Sequence, residues 1–280
     1  SQIRTIKPIG YGNVYNLTTE ANTFIANGYV SHNCSFCTHG HRTTPYRARS
    51  IENIMAEIKV NYEKYHFNIL IILDELFAVS KGRLAEFSKG VLSGRHDFNW
   101  DFGWMFQTHA SAKLDKSTLR LAKDAGCFMF SYGIESASPT VLKSMGKHTA
   151  PSQIEEGIRL AHEACIGFSG NLIFGDPAET TETIGESLAF WFEHQSAFIF
   201  LSVITPYPGS KLFDDLVASG KIPDKVAYYE HLHESGIWNM TKIPDQQFLG
   251  LMNCTQSLER AWLFVRHATG VKIEPEAPPS

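Results

Sequence analysis

The sequence predicts an α/β fold of successive parallel β/α units, on three observations. From Ser50 to Ile204, apolar runs of strand length alternate with amphipathic runs of helix length. The stretch before Cys34 is different in kind, rich in Asn, Thr, Gly, Tyr and Val and poor in helix formers. Between the two lies a loop with the pair Cys34-x-x-Cys37.

Taken in order, Asn13 to Thr19 reads as a strand. Asn22 to Ala26 reads as a second, with Asn27-Gly28 as a hairpin turn and Tyr29-Val30 as the return strand. This is a small β element, too short to bury a core alone. After the cysteines, strands are predicted at Asn68 to Leu73 (a buried run), Phe102 to Gln107, Phe128 to Ile134, Phe168 to Phe174 and Ala197 to Ile204. Helices are predicted at Ser50 to Tyr65, Lys81 to Ser93, Asp115 to Ala125, Pro139 to Ser144, Pro151 to Ala164 and Thr181 to His194. A turn and short helix follow from Pro206, ending at Gly220. A longer helix runs from Asp245 to His267, with Phe248, Leu251, Leu258, Trp262 and Val265 on its buried side. The last residues, Glu274 to Ser280, read as disordered.

The bulk numbers narrow the class. A chain of 280 residues with 43% hydrophobic content can build one substantial core. A net charge of -4 gives no electrostatic case for nucleic acid or an anionic membrane. No apolar run is long enough to span a bilayer and no signal peptide leads the chain, so no membrane association is expected. Five cysteines without regular spacing argue against a secreted disulfide framework and for a reducing cytoplasm. The start at Ser1 suggests a fragment or a processed product.

His32-Asn33-Cys34 brings three chemical functions side by side. An Asn side-chain amide can attack its own backbone carbonyl and cut the chain, because the tether has already removed the entropy of encounter. An adjacent imidazole can protonate the departing amine, and a thiol on the next residue can accept an acyl group. The surrounding sequence, Asn13 to Asn33 ("NVYNLTTEANTFIANGYVSHN"), closely resembles the C-terminal blocks of inteins, the Hint-fold self-splicing elements. The resemblance implies Asn33 as the cyclising residue, His32 as its assistant and Cys34 as the first residue of the downstream host. Asn16 and Asn22 stand where inteins often have Asp and His. The amino-terminal intein portion, which splicing needs as a partner in cis or in trans, is absent.

A single CxxC is ambiguous among a zinc half-site, a redox pair and part of an iron–sulfur site. Cys127, Cys165 and Cys254 stand alone in apolar or helical contexts and read as buried structural cysteines. His39 and His41 read as polar loop residues. The downstream motifs then resemble the radical S-adenosylmethionine (SAM) superfamily, in the branch that often carries an upstream cobalamin-binding domain. They are "YRARSIENIMAEI", "ILDELF", "YGIES", "NLIFGDPAET" and "PYPGSKLF", in order from Tyr46 to Phe213. That family's signature is CxxxCxxC, and Cys34 and Cys37 match its second and third cysteines. The first would lie in the host segment before the intein.

The resemblance implies an open (β/α)6 partial barrel, TIM-barrel-like and lacking its first strand here. It implies three parts: an intein segment at 1–33, a radical SAM core at 34–213 and a helical extension at 214–280. It implies an enzyme with a 4Fe-4S cluster on Cys34, Cys37 and an upstream cysteine, SAM as cofactor, cobalamin through a missing upstream domain, and an electron donor such as flavodoxin or ferredoxin. SAM would meet Phe36, Asp74, Glu75, Gln107, Glu135, Gly175 and Asp176. The last six fall at predicted strand ends, where β/α barrels bind ligands, and carboxylates there suit a cationic amine and sugar hydroxyls.

Each residue also has a plainer reading. Asp74 could cap a helix, Glu135 could pair with Lys143 or Arg159, and Gly175-Asp176-Pro177 could be a turn. His109 is a weaker substrate-side candidate. Trp238 and Tyr228-Tyr229 line either a pocket or a core. Two rival functions are an autoprocessing intein half with the enzyme as passenger, and a zinc-binding scaffold. The substrate, small-molecule or otherwise, is not specified by the sequence.

Overall fold

The computed structural model describes residues 23–26, 29–32, 35–37, 48–74, 76–232 and 238–269. At the start, β1 (Thr23–Ala26) pairs antiparallel with β2 (Tyr29–His32), Ala26 opposite Tyr29, so the hairpin expected from the sequence is present. The predicted strand at 13–19 lies outside the described residues.

The remainder is a parallel five-stranded sheet in the order β3-β4-β5-β6-β7. Its strands are β3 (Ile69–Ile71), β4 (Gly103–Thr108), β5 (Cys127–Glu135), β6 (Gly167–Phe174) and β7 (Phe198–Val203). Helices α1 (Ile51–Tyr65), α2 (Lys81–Phe98), α3 (Lys116–Asp124), α4 (Pro139–Ser144), α5 (Pro151–Glu163) and α6 (Thr181–Glu193) alternate with the strands along the chain. This is the curled half-barrel expected of β/α units in series. Sequential neighbours pair throughout, so every connection is a crossover helix returning the chain to the same end of the sheet.

Local chemistry sets the boundaries. Ser50, Ser80 and Asp115 each accept the N–H three residues on, at the starts of α1, α2 and α3. Thr180 and Thr183 form a reciprocal box at the start of α6. Helix α2 runs five residues beyond the predicted Ser93 and stops at Asn99, which takes the left-handed conformation (φ 53°).

Period-two alternation divides the sheet. Trp104, Phe106, Phe130, Tyr132, Phe168, Leu172 and Phe174 are buried, and the rings among them form a series of tilted, stacked and edge-to-face contacts. Trp104 donates its indole N–H to the Ala125 carbonyl at 2.9 Å, which satisfies a polar atom in an apolar layer. The intervening residues, among them Met105, Gln107, Ser131, Gly133, Asn171 and Ser202, are partly or fully open.

Strand β3 corrects one expectation. The run from Asn68 to Leu73 is not buried: Ile69, Ile71 and Leu73 are 55%, 52% and 77% exposed, while Leu70 and Ile72 pack on the core. The reason is topological. β3 is the edge strand of the described sheet and has a paired neighbour on one side only.

The opposite edge is covered. The Leu201 N–H of β7 donates to Glu259 at 2.8 Å, and Arg266 donates to the carbonyls of Gln195 and Ala197. Before the C-terminal helix come α7 (Lys211–Ala218) and α8 (Lys225–Glu230), the latter not foreseen. Glu259 and Arg266 belong to that last helix, α9 (Asp245–Thr269). Its buried side is the predicted one in part. Phe248 is buried and Leu251 and Trp262 pack partly buried on the core, joined by Met252 and Thr255, whereas Leu258 and Val265 are exposed, because the second half of the helix follows the β7 edge. Cys127 is buried as expected, but Cys165 and Cys254 are exposed. Cys165 sits in a left-handed turn after α5, and Cys254 is on the solvent side of α9. The C-terminal tail lies outside the described residues.

Candidate functional site at the strand ends

The loop that carries Cys37 is held against the end of the sheet by its own backbone. The Ser35 N–H donates to the carbonyl of Met145, at the C-terminus of α4. The Ser35 carbonyl accepts from the Leu212 N–H, in the first turn of α7, and both bonds are 2.9 Å. Such first-turn amides have no intrahelical partner and are free to bind an incoming carbonyl. Phe36 packs against the cluster formed by Val141, Met145, Ile204, Leu212 and Phe213. Cys37 is half-buried. Its expected companion Cys34, together with Asn33 and Glu75, lies outside the described residues, as does the side chain of His32. Asp74 is described and exposed.

At the end of β5, Glu135 forms an ion pair with Lys147 at 2.6 Å, with side chains only 11% and 7% exposed. The partner is thus neither Lys143 nor Arg159; Arg159 pairs with Glu156 and Glu163. Two backbone features make room for this pair. The register of β5 against β6 shifts between Gly133 and Glu135, and Glu135 takes a positive φ of 64°. A Cβ on residue 133 would run into the Glu135 carboxylate and the Lys147 ammonium, so a side chain there would displace the pair from its present positions.

At the end of β6 the chain turns through Gly175 at φ 111°, where a Cβ would stand 2.8 Å from Ile204. The turn is knitted by its own carboxylates. Asp176 Oδ1 accepts the Ala178 N–H at 2.8 Å, and Glu179 Oε2 accepts the Gly175 N–H. Both acids are 1% exposed, and Asp176 Oδ2 and Glu179 Oε1 have no hydrogen-bond partner among the described residues. Burial pushes Glu179 up to about 8, aided by the neighbouring Asp176 charge, and burial raises Asp176 as well. Asp176 is therefore turned into the fold rather than out toward solvent.

The remaining candidates sit nearby on the same strand ends. Gln107 lies one residue before the end of β4, and its carbonyl accepts the Phe77 N–H at 3.1 Å. His109, just beyond, shares a hydrogen bond with Thr149 at 3.1 Å. Tyr228 is core rather than pocket: its ring packs on Phe213 and Trp238, and its hydroxyl donates to the Pro206 carbonyl. The structure thus gathers Ser35–Cys37, Gln107, Glu135, Gly175 and Asp176 at the C-terminal ends of the strands. Sequence reasoning missed Lys147 and Glu179. Glu179 was findable, since it stands three residues after an Asp within the quoted "GDPAET" turn.

An arrangement of this kind offers one thiol docked at the barrel mouth, a backbone cradle at Gly175 too tight for a side chain, and a carboxylate held in one orientation. The donor set suits a thiolate-bound metal centre at the loop. Among the described residues no cluster of three His, Cys, Asp or Glu forms a metal site by itself, and no helix is long and apolar enough to cross a membrane.

Comparison with known proteins gives consistent results. Residues 31–190 match the family described as Radical SAM superfamily. An uncharacterized methyltransferase of Pyrococcus horikoshii is 27% identical over 191 residues, covering 67% of this chain and 40% of that protein. The anaerobic magnesium-protoporphyrin IX monomethyl ester cyclase of Cereibacter sphaeroides is 29% identical over 185 residues, covering 65% and 30%. Among solved structures, the radical S-adenosylmethionine methyltransferase TsrM of Kitasatospora setae, determined with cobalamin and a [4Fe-4S] cluster, superposes with a TM-score of 0.59. It is 18% identical and covers 67% of this chain and 35% of that one. The chain spans less than half the length of each of these proteins.

Proposed function

Because the chain belongs to the radical SAM superfamily, we propose that it carries most of the catalytic core of an iron–sulfur enzyme of the cobalamin-associated branch, acting by methyl transfer on a small organic substrate. The observation that carries this reading is the docking of Ser35–Cys37 on the helix ends that follow β5 and β7, the sheet end that also carries Glu135 and Gly175. The reaction class is supported by two of the three relatives, both named as methyltransferases. When bound, the cluster and SAM would supply a 5′-deoxyadenosyl radical or a methyl donor.

The chain's own residues have definable tasks. Cys37, with Cys34 and a cysteine from the preceding host segment, would hold three irons of the cluster. Phe36 anchors the loop, one residue before Cys37, against an apolar cluster. Gly175 lets backbone approach the ligand where a Cβ would collide with Ile204. Lys147 fixes the Glu135 carboxylate in one orientation, leaving its second oxygen to accept from a ribose hydroxyl. Gln107, near the end of β4, and the sequence pair Asp74 and Glu75 would add the remaining polar groups, the acidic pair meeting the SAM amine. Protein supplied with the upstream cysteine and reconstituted anaerobically should be brown and should cleave SAM. Cys37→Ala should lose most of the iron, and unchanged iron content in that variant would sink the reading.

A second reading concerns Ser1 to Asn33, and the β1–β2 hairpin ending at His32 favours it. Here the segment is an intein remnant: Asn33 cyclises, His32 protonates the leaving amine and Cys34 accepts the acyl group. Asn33→Ala should leave the segment attached when a matching amino-terminal portion is supplied, with mass spectrometry as the readout. The Cys34 thiol cannot be an acyl acceptor and a cluster ligand at once, so splicing would come before cluster assembly.

A further inference from the structure

We infer that residues Ser35–Cys37 are docked by the protein fold before any metal is bound, and that the Met145 carbonyl, the Leu212 amide and the Phe36 ring are the groups that position Cys37. The inference deepens the iron–sulfur reading and rests on it for its meaning, although the docking itself can be tested without a cluster.

Three observations carry it. First, Ser35 is bonded on both sides to different elements. Its N–H goes to the end of α4 and its carbonyl to the start of α7, at 2.9 Å each. Those elements follow β5 and β7, so the loop bridges two strand ends rather than resting on one. Second, both partners are helix-terminal groups that lack intrahelical bonds. Met145 is the C-cap of α4 and Leu212 is the second residue of α7, so the loop satisfies groups that would otherwise need water. Third, Phe36 packs, itself partly buried, against an apolar cluster whose buried members include Val141, Met145, Ile204, Leu212 and Phe213. A lone Cys37 on a tethered loop would sample many orientations. Here the residue two before it is fixed at both backbone ends, and the residue one before it is fixed by packing. The metal would then meet a thiol already placed at the mouth, and the entropy of ordering that half of the loop would not have to come from metal binding.

The test uses the full chain, metal-free in the presence of a chelator, with iodoacetamide as the probe and peptide mass spectrometry to read each cysteine separately. Cys254 and Cys165, both exposed, report the unprotected rate, and buried Cys127 reports global opening. Docking by the fold predicts that Cys37 reacts at least about tenfold more slowly than Cys254. Leu212→Pro removes the amide together with a buried side chain of the cluster, and Phe36→Ala removes the anchor alone. Each should bring Cys37 close to the Cys254 rate with Cys127 still protected. Should Leu212→Pro also expose Cys127, Phe36→Ala decides. The inference is overturned if parental Cys37 reacts as fast as Cys254, or if neither variant changes its rate. Failure of the iron–sulfur reading would show separately, as a docked Cys37 whose replacement leaves the iron content of the reconstituted enzyme unchanged.

Discussion

Replacing Lys147 by Met tests the arrangement at the end of β5 most directly. Lys147 Nζ and Glu135 Oε1 are 2.6 Å apart, on side chains 7% and 11% exposed. At an effective dielectric of about 20, two unit charges at that separation attract by about 6 kcal/mol. Removing both from water offsets several kcal/mol of this, so the intact pair contributes little net stability. The broken pair is another matter, because Lys147→Met leaves a largely buried carboxylate without its counter-ion. The expected loss is about 3–5 kcal/mol. With a urea dependence of about 2 kcal/mol per molar, the unfolding midpoint, followed by tryptophan fluorescence, should fall by roughly 1.5–2.5 M. Glu135→Gln should also destabilise, by stranding the ammonium. The double variant Glu135→Gln/Lys147→Met should recover at least about 2 kcal/mol relative to additivity. A single-variant loss below about 0.5 kcal/mol, or strict additivity, would refute the claim that the two side chains form one buried unit.

Three further outcomes follow from single sites. Glu179, raised from 4.5 to about 8, holds a proton in the folded state that the unfolded chain gives up near pH 4.5. Stability should therefore be fullest at the acid end and fall as pH rises through that window, by up to about 1.4 kcal/mol for each pH unit crossed. Glu179→Gln, which keeps an acceptor for the Gly175 N–H, should flatten the slope between roughly pH 5 and pH 8 in urea titrations; an unchanged slope would assign the proton elsewhere. Gly175→Ala should cost about 2–4 kcal/mol, from a positive φ and the Ile204 contact together, and lower Tm by several degrees. Asp115, whose carboxylate accepts the Thr118 N–H and the Ser117 and Thr118 hydroxyls, is held well below its ordinary 3.8 chiefly by the backbone bond. Asp115→Ala should cost about 1 kcal/mol at neutral pH, a difference that disappears as pH falls through the folded pKa.

What the sequence made legible, and what it hid, divides along physical lines. Strand and helix order was readable because apolar periodicity is local: Trp104, Phe106 and Phe130 alternate with open positions, and Ser50, Ser80 and Thr180 mark helix starts. Strand ends followed from that order, which is why Gln107, Glu135 and Gly175 could be placed at one mouth from the sequence alone. Burial at an edge was not readable. Ile69, Ile71 and Leu73 have the composition of a central strand, and nothing local says that β3 is an edge among the described strands. The α9 stripe held at Phe248, Leu251 and Trp262 and failed at Leu258 and Val265 for a related reason: Glu259 and Arg266 face the sheet edge because they bind backbone groups there, a preference that an apolar count scores as solvent-facing.

The partners of charged groups were the least readable, since they depend on loops that bring together residues with no periodic relation. Lys147 reaches Glu135 because α4 is short and ends at Met145, two residues before it. Lys143 and Arg159 were nearer in pattern but do not reach it. The same short helix presents the Met145 carbonyl to Ser35. The early stop of α4 after Ser144 therefore has two effects at the mouth: it frees a backbone acceptor for the cysteine loop and delivers an ammonium to the β5 carboxylate. An extra turn of helix there would be expected to disturb both at once. That coupling is visible only when the loop, the helix end and the strand end are seen together.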